Sequence, residues 1–192
     1  FAPTPGLKAV APANPADARG LLKAAVRDDD PVLVVENLPI YKEKGEVPLD
    51  PEYITPIGRA AIPREGSDIT IVSHSFATVR ALHVAEKLAE EKGVNAEVVD
   101  LRSLRPLDEE SIYSAVRKTG RVLIAHEDRI SGGIGAEVAG GSLTFGTVIA
   151  PYGMLQSLLR ERDLTATLES VWHVLAKRGV FGVGLGGGLP RR

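Results

Sequence analysis

Three consecutive aspartates, Asp28, Asp29 and Asp30, lie between a run with helical character and the apolar stretch "PVLVVE". Adjacent carboxylates repel one another, so either a cation neutralises them or water screens them. A helix that ends here adds unpaired carbonyl oxygens and a partial negative charge, and both favour a hard cation. Acidic side chains are mostly exposed, however, and residue chemistry alone favours a solvated turn over a metal site.

A second polar pair, His126 and Glu127, ends the apolar run in "RVLIAHEDRI". This string lacks the second histidine of a zinc-binding H-E-x-x-H helix, which argues against a metalloprotease. The pair could face a ligand, but we favour a polar strand terminus at a contact with another subunit. His74, His83 and His173 are scattered along the chain, and no set of nucleophile, base and acid is visible.

Two groups of glycines have the spacing of phosphate-binding loops. Gly132, Gly133 and Gly135 lie between a predicted strand and a predicted helix and could cradle a phosphate at the helix N-terminus. A tight turn with close helix packing explains them equally, and we prefer that interpretation. The G-x-G-x-x-G spacing that begins at Gly182 has no room for a following helix, so it does not predict a nucleotide site.

The candidate residues lie on strands and helices that are predicted to alternate from residue 68 onward. The strings "ITIVS", "AEVVDL" and "RVLIAHE" predict strands, and "GGIGAEVAGG" predicts the start of a helix. The spacing predicts a helix over 76–92 that ends at Gly93, with its buried face formed by Val79, Leu82, Ala85 and Ala89. Asp108 and Gly120 delimit another helix. Such alternation predicts a parallel sheet with right-handed crossovers, and any ligand edge lies beyond the strand ends.

The first 48 residues predict a helix and then a strand. Asn14 is the expected N-cap, and the helix stops near Asp29 because the residue before Pro31 is pushed out of the helical region. The continuous apolar run "PVLVVE" is typical of a strand covered on both faces. The expected buried face of the helix consists of Ala18, Leu21, Leu22 and Ala25.

Composition narrows the class of protein. The 192 residues are 44% hydrophobic and 25% charged with a net charge of -2, which is enough apolar material for a real core. The absence of cysteine excludes disulfides and thiolate chemistry and favours an intracellular setting. No apolar run approaches the ~18 residues of a membrane span. The start lacks signal-peptide character, and no dense basic face suggests nucleic-acid binding. We therefore expect neither a membrane nor a nucleic-acid partner.

Four strings carry a family resemblance: "PGLKAVAPANPADARGLLKAAVRDDDPVLVVEN", "ITIVSHS", "VVDLRSLRPLDEESIYSAVRKTGRVLIAHED" and "GGIGAEVA". Together they resemble the beta subunits of thiamine-diphosphate-dependent 2-oxoacid dehydrogenases, with pyruvate dehydrogenase first and the branched-chain and acetoin enzymes next. The resemblance implies an α/β fold, namely a transketolase C-terminal-type domain with a mainly parallel sheet, preceded by the end of a pyrimidine-binding domain.

The resemblance also divides the chain. Residues 1–48 correspond to the end of the pyrimidine-binding domain, 49–67 to a linker and 68–150 to the transketolase C-terminal-type domain. Residues 151–192 form a divergent tail that is glycine-rich at its end. We expect a chain truncated at its N-terminus, and a truncated, spliced or frame-shifted gene would explain both ends.

The family reaction is oxidative decarboxylation of a 2-oxoacid, with transfer of the acyl group to a dihydrolipoyl acyltransferase core. The resemblance implies an alpha subunit, a second beta subunit, and thiamine diphosphate shared with the alpha subunit, whose side holds magnesium. It also implies a location in the bacterial cytoplasm or in an organelle matrix. The family further binds potassium at the turn that matches Ala25, Asp28 and Asp30, which favours the metal site over the solvated turn.

Departures from the family pattern limit what this chain can do. No residue matches the family glutamate that protonates the cofactor's aminopyrimidine ring, and Pro3 stands at the place of an active-site histidine. We therefore assign no catalytic or cofactor-binding residue to this chain and expect it to be inactive alone. The alternatives are a fragment of a transketolase-like or deoxyxylulose-phosphate-synthase-like enzyme, and a non-catalytic assembly module.

Overall fold

The computed structural model describes residues 4–127, 133–140 and 147–150. The first segment of the chain forms a small parallel pair of strands that flank a helix. Strand β1 pairs with β2 in a register that places Lys8 opposite Val32. These elements are β1 at Lys8–Val10, α1 at Pro15–Val26, β2 at Val32–Val34 and a short 3-10 helix at Leu38–Lys42.

The second part of the chain forms a five-stranded sheet. Its strands are β3 at Ala61–Arg64, β4 at Ile69–Ser73, β5 at Ala96–Asp100, β7 at Val122–Ala125 and β8 at Thr147–Ala150. They are ordered β3-β5-β4-β7-β8, and every pair is parallel except β3 with β5. This arrangement confirms the predicted α/β fold with a mainly parallel sheet.

Three helices connect the parallel strands: α2 at Phe76–Lys92, α3 at Glu109–Thr119 and α4 at Ile134–Gly140. The Asp108 carboxylate caps α3 by accepting from the Ser111 N–H, and Gly93 and Gly120 end their helices in the left-handed conformation. These three boundaries agree with the sequence prediction. No helix in the described part of the chain is both long and apolar enough to cross a bilayer.

Helices cover both faces of the large sheet because alternate strand residues point to opposite sides. Ile71 and Val98 pack with Val84 and Leu88 of α2. Val72 and its neighbours on the other face pack against α3 and α4. The site-bearing strand ends are therefore held between two apolar layers.

A short sixth strand joins the two parts. Strand β6, at Ser103–Arg105, leaves the large sheet directly after β5 and pairs antiparallel with β1, which makes the small sheet β2-β1-β6. The Ala11 N–H donates to the Arg102 carbonyl at 2.7 Å and extends this pairing. The sequence did not predict either β1 or β6, since each has only three residues.

Helix α1 differs from its prediction in length and orientation. It ends at Val26 rather than near Asp29, and of its four expected apolar contacts only Leu21 is fully buried. Leu22 is 50% exposed. The helix instead turns Gly20 inward, where an added Cβ would lie 2.2 Å from the Thr55 hydroxyl oxygen. This close approach rotates the helix away from the face that hydrophobicity predicts.

The buried face of α2 is also rotated from its prediction. Val79, Leu82 and Ala89 are only partly buried. Small side chains let the helix lie close to the sheet, whereas Val79 and Leu82 line an open groove against the first segment. The fully buried residues along this helix are Phe76, Ala77, Thr78, Ala81, Val84, Ala85 and Leu88.

Two further expectations changed in detail. Strand β2 is half-buried rather than covered on both faces, because it lies at the edge of the small sheet. Strand β3 lies inside the 49–67 segment that was expected to be a linker, and it forms the edge of the large sheet. The tail at 151–192 lies outside the described residues.

Candidate functional site

Polar side chains meet at the carboxyl edge of the large sheet. Strands β4 and β5 end at Ser73 and Asp100, and His126 directly follows β7. Each of the three is at most 2% exposed. This edge is where open parallel sheets present residues to ligands, as the alternation of strands and helices predicted.

Asp100 is the most strongly perturbed group at this edge. Burial raises the pKa of its carboxyl to about 7. It accepts hydrogen bonds from the Thr78 hydroxyl at 3.2 Å and from the Arg102 N–H at 3.3 Å, and these oppose the shift. Thr78 also contacts the Ser73 hydroxyl at 3.0 Å. Asp100 can therefore take up or release a proton near neutral pH.

Arg102 connects this edge to the first segment of the chain. Its guanidinium donates to the Asp17 carboxylate at 3.2 Å, to the Arg59 carbonyl at 3.1 Å and to the Ala60 carbonyl at 2.9 Å. Asp17 also accepts from the Thr55 hydroxyl at 3.1 Å. Arg102 adopts a φ of 53°, which is uncommon for a residue other than glycine. Sequence reasoning missed this cluster, since its members are separated by long stretches of chain.

His126, one of the two predicted interface residues, is enclosed by this chain itself. Its ring stacks on His74 with a centroid separation of 6.4 Å. A Cβ added at Gly135 would lie 2.1 Å from the His126 Nε2, so only glycine fits at that position. The preferred interpretation of Gly135 as a close-packing residue is thus confirmed, while Gly132 lies outside the described residues.

Glu127, the second predicted interface residue, contacts the first segment. Its carboxylate accepts from the Asn37 side-chain amide at 2.6 Å. The contact joins two parts of one chain that are 90 residues apart. A role at a subunit contact stays a prediction for both His126 and Glu127.

The aspartates of the predicted potassium site lie around an ammonium group. Lys8 Nζ is 2.7 Å from Asp28 Oδ1 and 3.0 Å from Asp30 Oδ2. The Asp28 N–H donates to the Ala25 carbonyl at 3.4 Å, so the three predicted residues do lie at one turn. The Lys8 ammonium lowers the pKa of the Asp28 carboxyl. Sequence reasoning missed Lys8 because it did not predict β1, which aligns this residue with the end of the turn.

The described residues do not fit a magnesium diphosphate group. They contain no cluster of three or more histidine, aspartate or glutamate side chains that could hold a metal ion. The close acidic pairs are already neutralised by lysines, since Asp28 and Asp30 contact Lys8. Glu65 and Glu97 likewise contact Lys118. A cofactor of this kind would need ligands from elsewhere.

Curated relatives match most of the described region. The beta subunit of 2-oxoisovalerate dehydrogenase from Bacillus subtilis (strain 168) is 53% identical over 140 residues, which cover 72% of this chain and 42% of the relative. Subunit beta-1 of the mitochondrial pyruvate dehydrogenase E1 component from Arabidopsis thaliana is 50% identical over 141 residues, which cover 72% and 39%. The beta subunit of acetoin:2,6-dichlorophenolindophenol oxidoreductase from Bacillus subtilis is 45% identical over 139 residues, which cover 72% and 40%. The chain thus spans about two fifths of these relatives.

A solved structure and a family model agree with these matches. The structure described as "Split gene transketolase, inactive beta4 tetramer" superposes with a TM-score of 0.67 and 28% sequence identity. The match covers 88% of this chain and 58% of the chain in that structure. The family described as "Transketolase, C-terminal domain" matches residues 58–153. That stretch contains the five-stranded sheet, Asp100 and Arg102. On the strength of this match over half of its length, the chain belongs to the transketolase C-terminal domain family.

Proposed function

We propose that the chain is part of the beta subunit of a thiamine-diphosphate-dependent 2-oxoacid dehydrogenase, with pyruvate as the favoured substrate. The observation that carries the enzyme class is an identity of 50% or more, over about 140 residues, to beta subunits named for pyruvate and for 2-oxoisovalerate dehydrogenase. The identities to the 2-oxoisovalerate and acetoin enzymes keep those two substrates as alternatives. The reaction would be oxidative decarboxylation, with the acyl group passed to a dihydrolipoyl acyltransferase.

In this proposal the chain supplies scaffold and subunit contacts. Thiamine diphosphate would be shared with an alpha subunit, which would also hold the magnesium ion. Potassium would bind at the turn of Ala25, Asp28 and Asp30. A non-catalytic assembly module is the second candidate.

The proposed domain division keeps the bounds that the sequence predicts. Residues 1–48 would be the end of a pyrimidine-binding domain, 49–67 a linker, 68–150 the transketolase C-terminal-type domain and 151–192 a divergent tail. Strands β1 and β2 pair within residues 1–48, which supports the first of these units. Two strands cross the proposed bounds, since β3 of segment 49–67 belongs to the large sheet and β6 of the third unit belongs to the small sheet. Pairing of β6 with β1 and the contact of Arg102 with Asp17 would hold the two parts together.

Exposed apolar side chains support assembly with other subunits. The large apolar side chains that are exposed in the described residues all lie between residues 22 and 62. We propose an alpha subunit and a second beta subunit as the partners, with His126 and Glu127 near a subunit contact. Relatives named as mitochondrial and relatives from Bacillus support an organelle matrix or a bacterial cytoplasm as the location. The exposed residues are Leu22, Val26, Val35, Leu38, Tyr41, Val47, Leu49, Ile54 and Ile62.

Complex formation with alpha subunits tests the proposal. The full chain is mixed in turn with the alpha subunit of a pyruvate, a branched-chain and an acetoin dehydrogenase, and the Kd of each complex is measured. We expect the tightest complex with the pyruvate dehydrogenase subunit. Leu38→Glu should weaken it, because Leu38 is an apolar side chain that is 75% exposed. Ser114→Glu, at an exposed position on α3, is the control. Failure to bind any alpha subunit would contradict the proposal.

A further inference from the structure

The N-terminus of helix α2 lacks the stabilising groups that the other long helices of this chain possess. Helix α1 begins with an Asn14 side-chain cap and carries Asp17 in its first turn. Helix α3 begins with the Asp108 cap and two glutamates. Helix α2 is 17 residues long, yet it has no side-chain cap and no acidic residue in its first turn. Its positive end is therefore not neutralised by its own side chains.

Ser75, the N-cap residue of α2, has a hydroxyl group that is buried without a partner. The residue is 6% exposed, and its Oγ makes no hydrogen bond to any described residue. Burying a hydroxyl in this way is unfavourable unless an acceptor or donor meets it. The Thr78 N–H donates to the Ser75 carbonyl. The N–H groups of Phe76 and Ala77 lie in the first turn, where a helix offers no acceptor of its own.

The backbone of Ser75 is strained. Its φ is 52° and its ψ is -133°, a conformation that serine rarely adopts. Glycine would satisfy that conformation at little energetic cost. The chain therefore places a serine hydroxyl at the tip of the β4–α2 turn where local sterics favour glycine.

Arg80 adds a cation at the same end of the helix. Its guanidinium carbon lies 4.9 Å from the centre of the Phe76 ring, so the side chain folds back toward the N-terminus. Its Nε is buried and has no hydrogen-bond partner among the described residues. A cation near the positive end of a helix is unfavourable on its own. A bound anion would remove both this repulsion and the unsatisfied donor.

We propose that the β4–α2 turn is a binding site for the oxyanion group of a small molecule, held by the Ser75 hydroxyl, the N–H groups of Phe76 and Ala77, and Arg80. Carboxylates and phosphates share the chemistry that this site recognises, because each offers several acceptor oxygens and a negative charge. The turn lies at the carboxyl end of the central strand, where parallel sheets bind ligands. Arg80 is half-buried, whereas Ser75 is enclosed. This site is independent of the proposed dehydrogenase function.

Anion titration of the purified full chain tests the site. Inorganic phosphate and acetate are added in separate series at constant ionic strength, with chloride as the balancing ion. The melting temperature and the binding heat are recorded. We expect saturable stabilisation by at least one anion, and the two series show whether the site prefers a phosphate or a carboxylate. Absence of saturable binding in both series would overturn the proposal.

Variants assign the binding to these residues. Arg80→Gln should raise the Kd by about tenfold or more, since it removes a charged donor. Ser75→Gly should weaken binding while raising the melting temperature of the anion-free chain, because it removes the hydroxyl and relieves the strained backbone. Arg117→Gln makes the same charge change at an exposed position on α3 and should leave the Kd unchanged. Equal losses in Arg80→Gln and Arg117→Gln, or unchanged binding in Ser75→Gly, would overturn the assignment. Binding to an alpha subunit is measured separately and does not depend on this result.

Discussion

Arg102 and Asp17 form an ion pair of 3.2 Å between the loop after β5 and helix α1, and both side chains are largely withdrawn from water. Two further Arg102 N–H groups donate to carbonyl oxygens of the segment before β3. One guanidinium therefore holds together three stretches of chain that are distant in sequence. A buried charge that loses its partner is strongly destabilising.

Removal of this guanidinium should destabilise the chain. We expect Arg102→Met to reduce the free energy of unfolding by about 3–5 kcal/mol, because Asp17 would remain buried without its partner. The control is Arg27→Gln, which breaks an exposed pair with Glu52 and should cost at most about 1 kcal/mol. Urea unfolding of both variants provides the comparison. Similar losses in the two variants would show that the Asp17 contact is not stabilising.

Asp100 should make stability depend on pH. The pKa of its carboxyl is about 7 in the folded chain and has a reference value of 3.8. Its contribution to stability is therefore fully present below pH 3.8 and is lost as the pH rises toward 7. The expected loss is about 2 kcal/mol between pH 5 and pH 7, since each pH unit in this window contributes about 1.4 kcal/mol.

Asp100→Asn isolates that contribution. Relative to this variant, the unmodified chain should become less stable as the pH rises from 5 to 7, as measured by urea unfolding at each pH. Glu110→Gln changes an exposed carboxylate on α3 and serves as the control. Parallel stability profiles for the unmodified chain and Asp100→Asn would contradict the raised pKa.

Gly135 should not tolerate even a methyl group. The Cβ of Gly135→Ala would lie 2.1 Å from the His126 Nε2, so the ring or helix α4 must move. We expect a loss of about 1–3 kcal/mol in the free energy of unfolding, as is usual for overpacking. In a His126→Ala background the same substitution should be much less harmful. A double-mutant cycle measures the difference, and a coupling energy near zero would exclude the steric explanation.

The melting temperature in different salts shows whether potassium binds at the turn that contains Asp28 or whether Lys8 alone occupies it. If potassium binds, the chain should melt at a higher temperature in potassium chloride than in tetramethylammonium chloride at equal ionic strength. Asp28→Asn should abolish that difference. Equal melting temperatures in the two salts would indicate that the Lys8 ammonium alone neutralises these aspartates.

Local signals predicted the parallel sheet but not the contacts that join the two parts of the chain. The helix boundaries at Asp108, Gly120 and Gly93 follow from capping and from left-handed backbone, which a few neighbouring residues determine. Strands β1 and β6 are too short to have a hydrophobic period, and each exists because of a partner far along the chain.

Some residues of the candidate site could likewise be predicted from local sequence, and others could not. His126, Glu127 and the aspartate turn were found because their residue types stand out at strand or helix ends. Lys8 and Arg102 were not found, since an ordinary basic residue gives no local indication of the carboxylate it will contact. The rotated face of α1 was missed because close contact at Gly20, rather than apolar spacing, sets its orientation.

The chain passes from the large sheet to the small sheet across only two residues, Leu101 and Arg102, between β5 and β6. Because this connection is so short, the two sheets can hardly move independently of each other. Strand β1 is hydrogen-bonded to β6, and β6 is joined to β5 by this link. A displacement of β1 is therefore passed on to β5. A subunit that displaces the first segment would therefore also displace the buried carboxyl group at the end of β5.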